Sequence, residues 1–98
     1  MWLWIESATR EPAPELKQSE VGKLIRELRQ LTGRIQEQFA AVLGVSFSTL
    51  NRWENGHMQP PPLALRQIYA VLAQLGQSPV PELQDGSKTL FEKYFRDR

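Results

Sequence analysis

The stretch from Gln36 to Gly56 reads QEQFAAVLGVSFSTLNRWENG, and it decides the fold of this chain. Its apolar residues recur at three- and four-residue steps, which predicts two short helices, Gln36–Leu43 and Phe47–Glu54. Only Gly44-Val45-Ser46 separates them, and a glycine there can take the positive φ that a tight turn needs. This spacing predicts a helix-turn-helix, the geometry that places one helix in the major groove of DNA.

Apolar residues inside the stretch support the same geometry. Ala40 is small at the point where the two helices would cross closely, and Leu50 and Trp53 would bury the inner face of the second helix. An ordinary helical hairpin in a small bundle would need the same glycine and the same apolar residues. That structural alternative therefore stays open at this level.

Two further helices are predicted on either side of the stretch. The first covers about residues 20–31, with Ser19 available as its N-cap, and Gly33 provides a left-handed stop after it. The other begins near Pro62, since proline is tolerated at the first helical position, and it ends at Gly76. Their apolar stripes are Val21, Leu24, Ile25, Leu28 and Leu31 in one, and Leu65, Ile68, Leu72 and Leu75 in the other.

The composition narrows the class of protein. The chain has 98 residues, 41% of them apolar, with one histidine and no cysteine. It fits one small domain, and it excludes a disulfide framework, a cysteine-based metal site and a multi-histidine site. We expect no cofactor and no bound metal. No apolar run approaches the roughly 20 residues of a membrane helix, so we expect a cytoplasmic protein without a membrane partner.

The formal net charge of +1 is unevenly distributed. Residues 1–20 carry two basic and four acidic side chains, whereas residues 21–75 carry six basic and three acidic ones. The predicted helix-turn-helix region is therefore modestly basic, at +3. Such a small charge predicts weak non-specific affinity for DNA, because that affinity comes mainly from neutralising phosphates. Base contacts and dimerisation would then have to supply much of the binding.

Three runs of residues carry a family resemblance: Gln36-Glu37-Gln38-Phe39-Ala40, Leu43-Gly44-Val45-Ser46 and Thr49-Leu50-Asn51-Arg52-Trp53-Glu54-Asn55-Gly56. With the following Pro60-Pro61-Pro62-Leu63-Ala64-Leu65, they resemble the Cro/C1-type (XRE family) helix-turn-helix of bacterial and phage regulators, and most of all small antitoxin-like regulators. The resemblance covers about residues 20–76. It implies an all-α, four- to five-helix lambda-repressor-like domain at residues 19–76. Residues 1–18 would be an N-terminal extension, and residues 77–98 a linker and a C-terminal amphipathic helix.

The resemblance also implies which residues contact DNA. The helix at residues 47–54 would enter the major groove, with Arg52 suited to guanine and Asn51 to adenine. The start of the preceding helix and the loop after residue 54 would contact phosphates. The full predicted DNA-binding set is Gln36, Phe47, Ser48, Thr49, Asn51, Arg52, Asn55, His57 and Gln59. Structural roles fall to Ala40, Gly44, Leu50 and Trp53, and to a family ion pair between Arg29 and Glu54.

Two positions depart from the family pattern. Arg34 and Ile35 stand where members usually have a hydrophobic residue followed by serine or threonine, so the usual N-cap is lost. Phe47 stands where members more often present a polar base reader. An exposed phenylalanine could pack on thymine methyl groups or anchor a protein partner.

Both ends of the chain carry unexplained apolar residues. Trp2, Leu3, Trp4 and Ile5 could form a strand that pairs with its symmetry mate, or could cover the protein's own core. Near the other end, Leu90, Phe91, Tyr94 and Phe95 share one helical face, and Ser87 could cap that helix. This fifth helix could pack on the domain or form a dimer contact.

The resulting hypothesis is a sequence-specific DNA-binding transcriptional regulator, a repressor or autoregulator, acting on double-stranded DNA as a homodimer. The alternative is a helix-turn-helix module for protein–protein interaction, an antitoxin or adaptor, with a partner such as a toxin. An enzyme is not expected. The sequence has no cysteine nucleophile, a single loop histidine, no glycine-rich phosphate loop and no inward-facing carboxylate pair.

Overall fold

The computed structural model describes residues 18–95, and this part of the chain contains five helices. They are α1 (Gln18–Thr32), α2 (Gln36–Leu43), α3 (Phe47–Glu54), α4 (Pro62–Leu75) and α5 (Pro81–Phe95). No strand occurs within those residues. The predicted all-α, lambda-repressor-like fold is confirmed. The apolar segment Trp2 to Ile5, with the strand predicted for it, lies outside the described residues.

All five helices contribute to one apolar core. On the face of α1 that the periodicity predicted, Val21, Leu24, Ile25 and Leu28 are buried and Leu31 is partly buried, and the other four helices close around this face. Each such side chain contributes about 1.5–3 kcal/mol of transfer free energy when it leaves water. The buried apolar side chains are Val21, Leu24, Ile25, Leu28, Phe39, Ala40, Leu43, Leu50, Trp53, Ala64, Ile68, Leu72, Leu90, Tyr94 and Phe95.

Helix α1 begins earlier than the sequence pattern predicts. Its first residue is Gln18, so Ser19 lies inside the first turn. The prediction that Ser19 caps this helix is therefore wrong. The apolar stripe starts only at Val21, and periodicity cannot report a polar first turn that precedes it.

Helix α5 is much longer than predicted, because it begins at Pro81, six residues before Ser87. The prediction that Ser87 caps it is wrong. Ser87 is buried in mid-helix, and its hydroxyl donates to the carbonyl oxygen of Gln84 at 3.0 Å. Pro79 and Pro81 lie close together and indicated a linker at this point of the sequence. Pro81 can nevertheless begin a helix, because the N–H that it lacks would be unpaired at the first helical position.

Polar contacts join α5 to α1 along the outside of the core. The ammonium of Lys93 donates to both carboxylate oxygens of Glu27, at 3.0 and 3.1 Å, and the hydroxyl of Tyr94 donates to the second of them. Burial raises the pKa of Glu27, but the hydrogen bonds from Tyr94 and Lys93, together with the charges of Lys93 and Lys23, outweigh it, so that pKa lies below its usual value. Burial and the Glu27 carboxylate both raise the pKa of Tyr94. The contact therefore favours an ionised Glu27 and a neutral Tyr94.

Candidate nucleic-acid interface

The turn between α2 and α3 has the predicted geometry. Gly44 has a φ of 72°, and the Val45 N–H donates to the Ala40 carbonyl oxygen at 3.0 Å. Ala40 is buried at the helix crossing. Ser46 caps α3, since its hydroxyl oxygen accepts from the Thr49 N–H at 3.1 Å. These local contacts set the angle at which α3 leaves the turn.

The outer face of α3 presents a short row of side chains. Leu50, Trp53 and Glu54 are buried, and at about 100° per residue the opposite direction falls between Ser48 and Arg52. Both are exposed, and Arg52 has no ion pair within residues 18–95. Phe47, 47% exposed, and the half-buried Asn51 border this face on one side. Four residues of the predicted DNA-binding set are thus brought together on α3.

Thr49 lies on the other border of this face and is half-buried. Its hydroxyl oxygen accepts from the Ser46 hydroxyl at 2.9 Å, and the hydroxyls of Ser46 and Ser48 are 3.3 Å apart. Thr49 therefore belongs to the capping turn of α3 as much as to its exposed surface.

A buried carboxylate, Glu54, anchors the far end of α3. Arg29 donates to both of its oxygens, from Nε at 2.8 Å and from Nη2 at 3.1 Å. Arg29 also donates from Nη1 to the Arg34 carbonyl oxygen at 3.2 Å, which connects it to the loop before α2. A bidentate arginine–carboxylate pair fixes geometry as well as charge. The ion pair that the resemblance implied is thus formed, and it sets the orientation of α3 against α1.

Two further side chains reach Glu54. Arg26 lies with its Nε 3.6 Å from a carboxylate oxygen, and Gln36 donates from Nε2 to that oxygen at 3.0 Å. The amide nitrogen of Gln36 is therefore directed at Glu54, which the sequence did not predict. The start of α2 can therefore bind a phosphate only through the backbone N–H groups of its first turn, as any helix N-terminus can.

Helix α2 begins without a normal side-chain cap, as the departure at Ile35 predicted. Ile35 is the N-cap residue and has no side-chain acceptor. A partial substitute exists, because Oε1 of Gln38 accepts from the Ile35 N–H at 3.1 Å. This is the returning half of a capping box, and glutamine at the third helical position is its sequence signal.

The loop after α3 contains the remaining predicted contacts. The His57 N–H donates to the Arg52 carbonyl oxygen at 2.8 Å and so closes the last turn of α3. The residues His57 and Gln59 are exposed, and Pro60 is buried and anchors the end of the loop. Asn55 is exposed too, but its side chain contacts Arg26 from one side and Asn51 from the other.

Gly22 is a structural residue that sequence reasoning missed. A Cβ at this position would lie 2.7 Å from the Trp53 carbonyl oxygen and 2.8 Å from that of Glu54. Helix α1 thus lies directly against the backbone at the end of α3. The signal was a glycine inside an otherwise regular helical pattern, which often marks a close approach.

Fold and site together define a helix-turn-helix protein of the DNA-binding class. A sequence model of the helix-turn-helix family matches residues 25–73, from the middle of α1 to the last turn of α4. The chain belongs to this family, in its Cro/C1-type (XRE) branch, whose members are DNA-binding regulators. No curated protein and no solved structure matches the chain.

The described residues contain neither a membrane span nor a metal cluster. None of the five helices is long and apolar enough to cross a membrane. Residues 18–95 also hold no group of three histidine, aspartate or glutamate side chains that could ligate an ion.

Proposed function

We propose that this protein is a sequence-specific transcriptional regulator, a repressor or autoregulator, that reads the major groove with α3. The observation that carries the proposal is the arrangement of α3 itself. Its face opposite the core presents Ser48 and Arg52, while its far end is held by the buried ion pair of Arg29 and Glu54. A reading helix needs both an exposed polar face and a fixed orientation, because base contacts tolerate little misplacement.

Five of the predicted contacts have a defined role in this proposal. Arg52 forms two hydrogen bonds to guanine, a contact that contributes about 1–3 kcal/mol of discrimination. Phe47 packs on a thymine methyl group. The first turn of α2 at Gln36 holds one phosphate, and the loop residues His57 and Gln59 contact the neighbouring backbone.

We further propose that the protein binds as a homodimer on two half-sites, since the charge of the reading domain is small. An aromatic group on α4 and α5 supports a surface for self-association. Phe91 is 41% exposed, and its ring lies 6.1 Å from that of Tyr69 and 5.5 Å from that of Phe95. A second copy would remove the exposed part of Phe91 from water.

The second candidate function is a protein-interaction module, such as an antitoxin that holds a toxin. Exposed apolar side chains on other parts of the domain favour it. Ile35 is 57% exposed and Leu63 69% exposed, in addition to Phe47. Aromatic and aliphatic residues of this kind are enriched in the cores of protein interfaces.

Binding to DNA across a salt series separates the two functions. The probes are the DNA upstream of the protein's own coding region and a scrambled duplex of equal length. A regulator prefers the upstream duplex, binds it with two chains per site, and loses affinity as salt increases. Equal, weak binding to both duplexes would favour the interaction module.

The Arg52→Ala variant tests the placement of the reading helix. We expect it to lose about 1–3 kcal/mol of discrimination at one base position and to keep its fold. Arg66→Ala is the matched control, because it removes another exposed arginine, from α4. If Arg52→Ala binds and discriminates as the unmodified protein does, α3 does not read the groove in this way.

A further inference from the structure

A series of side-chain hydrogen bonds leads from α1 to the reading face of α3. Arg26 donates from Nη2 to Oδ1 of Asn55 at 3.0 Å and to the Glu54 carbonyl oxygen at 3.4 Å. Asn55 donates in turn from Nδ2 to Oδ1 of Asn51. Arg26 is thereby connected to Asn51, which lies one helical turn before Asn55 and borders the exposed face.

The donors and acceptors of these groups determine the orientation of the side-chain amides of Asn55 and Asn51. A guanidinium has only donors, so the amide oxygen of Asn55 faces Arg26. The amide nitrogen of Asn55 then faces Asn51, and Asn51 must present its oxygen to receive that hydrogen bond. The amide nitrogen of Asn51, a donor, is left without a partner among residues 18–95.

This orientation changes what Asn51 can recognise. An asparagine clamps adenine with two hydrogen bonds, for which it needs both its oxygen and its nitrogen. Here Oδ1 of Asn51 already accepts from Asn55, so an adenine N6 donor would have to share that oxygen, whereas both N–H groups of Asn51 remain available. Guanine instead presents two neighbouring acceptors, O6 and N7, in the major groove. A side chain whose oxygen is shared and whose donors are available is therefore better matched to a G·C pair.

We infer that Arg26 is a positioning residue for base selection: through Asn55 it holds Asn51 as a hydrogen-bond donor, so that Asn51 selects G·C over A·T. The inference rests on the proposed reading of DNA by α3. It replaces the expectation, drawn from the resemblance alone, that Asn51 pairs with adenine. Arg26 itself touches no base in this arrangement.

Selection from a randomised double-stranded DNA library tests the inference. The preferred site of the unmodified protein is determined first, and the position whose preference disappears in Asn51→Ala is assigned to Asn51. We expect G·C to exceed A·T there by about fivefold or more, which corresponds to the lower end of base discrimination by a side-chain pair. In Arg26→Ala, A·T is accepted at that one position, while the position read by Arg52 is unchanged.

Matched variants separate positioning from folding and from charge. Lys23→Ala removes the same charge from the exposed side of α1 and should leave the preference at the Asn51 position as it was. Asn55→Ala removes the residue between Arg26 and Asn51, and it should change the base preference at the same position as Arg26→Ala does. It therefore tests the inference even if Arg26→Ala does not fold. A general loss of structure would weaken all positions together.

The outcomes distinguish the inference from the proposed function. If the unmodified protein enriches no site at all, sequence-specific reading fails, and the inference fails with it. If a site is enriched but its Asn51 position is A·T, or depends on neither Arg26 nor Asn55, only the inference is overturned. A site with no position that depends on Asn51 also overturns it, since Asn51 would then read no base.

Discussion

At the scale of single residues, Gly22 is the position where the packing of α1 against α3 constrains the choice of residue. Gly22 allows α1 to approach the carbonyl oxygens of Trp53 and Glu54, which belong to backbone at the end of a packed helix. Backbone in that place cannot move aside as a flexible side chain can. The close approach also shortens the path from Arg29 and Arg26 to the end of α3.

We expect Gly22→Ala to destabilise the protein, although alanine is the better helix former. Alanine gains about 1 kcal/mol of helix propensity over glycine, whereas an extra methyl group in a tightly packed place typically costs about 1–3 kcal/mol. Urea unfolding gives the net change in the free energy of unfolding.

Gly86→Ala is the matched control for this prediction. The three atoms nearest to a Cβ there belong to the side chain of Leu31, which is half-buried and can change rotamer. Gly86→Ala should therefore be tolerated much better than Gly22→Ala. Equal stability changes in both variants would show that the approach of α1 to α3 is not the constraint.

The Arg29–Glu54 pair is the residue-scale feature that resemblance identified correctly, but its surroundings were not predictable. Arg26 and Gln36 converge on the same carboxylate from α1 and α2. Neither residue is close to Glu54 in sequence, and polar residues on an exposed helix face have no spacing rule that reveals a shared partner. Only the packing of three helices brings them together.

At the scale of helices, α2 and α3 were predicted with their observed bounds, because Gly44, the short turn and the Ser46 cap mark the junction between them. Helix α5 was predicted only in its last part. Its first half, Pro81 to Lys88, has few strongly apolar residues and contains a glycine, so periodicity alone does not reveal it. Packing of Gly86 against Leu31 and burial of Ser87 stabilise that half instead.

Restoring a normal cap should strengthen α2. In Ile35→Ser, the serine hydroxyl can accept from an N–H of the first turn, and such caps contribute about 0.5–2 kcal/mol. Little burial is lost, because Ile35 is 57% exposed. Thermal unfolding followed by circular dichroism should show a higher midpoint. Gln38→Ala removes the existing half of the capping box and should lower that midpoint, and a lower midpoint in Ile35→Ser would contradict this account.

At the scale of the whole molecule, α5 closes the core from outside the segment that matches the family. Leu90, Tyr94 and Phe95 of α5 belong to the same apolar core as the buried residues of α1 to α4, and Glu27 receives hydrogen bonds from Lys93 and Tyr94. The C-terminal helix and α1 are thus coupled both by apolar packing and by a titratable contact.

This contact predicts how stability depends on pH. The folded pKa of Glu27 lies below its usual value of 4.5, so its contribution is complete above that pH and is lost as the pH falls through the folded pKa. The pKa of Tyr94 is raised above its usual value of 10.0, so its contribution is complete below pH 10.0 and is lost progressively as the pH rises from there towards the raised value. Stability should therefore decline at both extremes.

Urea unfolding of Tyr94→Phe from pH 3 to pH 11 checks this prediction. The variant lacks the titrating hydroxyl, so the free energy of unfolding should no longer show the decline at alkaline pH that Tyr94 causes. The free energy of unfolding should also decline less at acid pH, because Glu27 loses a hydrogen-bond donor. Tyr69→Phe is the control, since the Tyr69 hydroxyl has no hydrogen bond within residues 18–95. An unchanged pH profile in Tyr94→Phe would refute the coupling.

The sequence by itself determined the fold class, the helix-turn-helix and the exposed face of α3, because periodicity, glycine turns and caps are local signals. Tertiary structure decided which polar side chains meet. It directed the amide of Gln36 to Glu54, brought Gly22 against the end of α3, and connected Arg26 to Asn51 through Asn55. The physical reason is that a hydrogen bond between helices depends on distance and direction in space, and no interval along the chain encodes either.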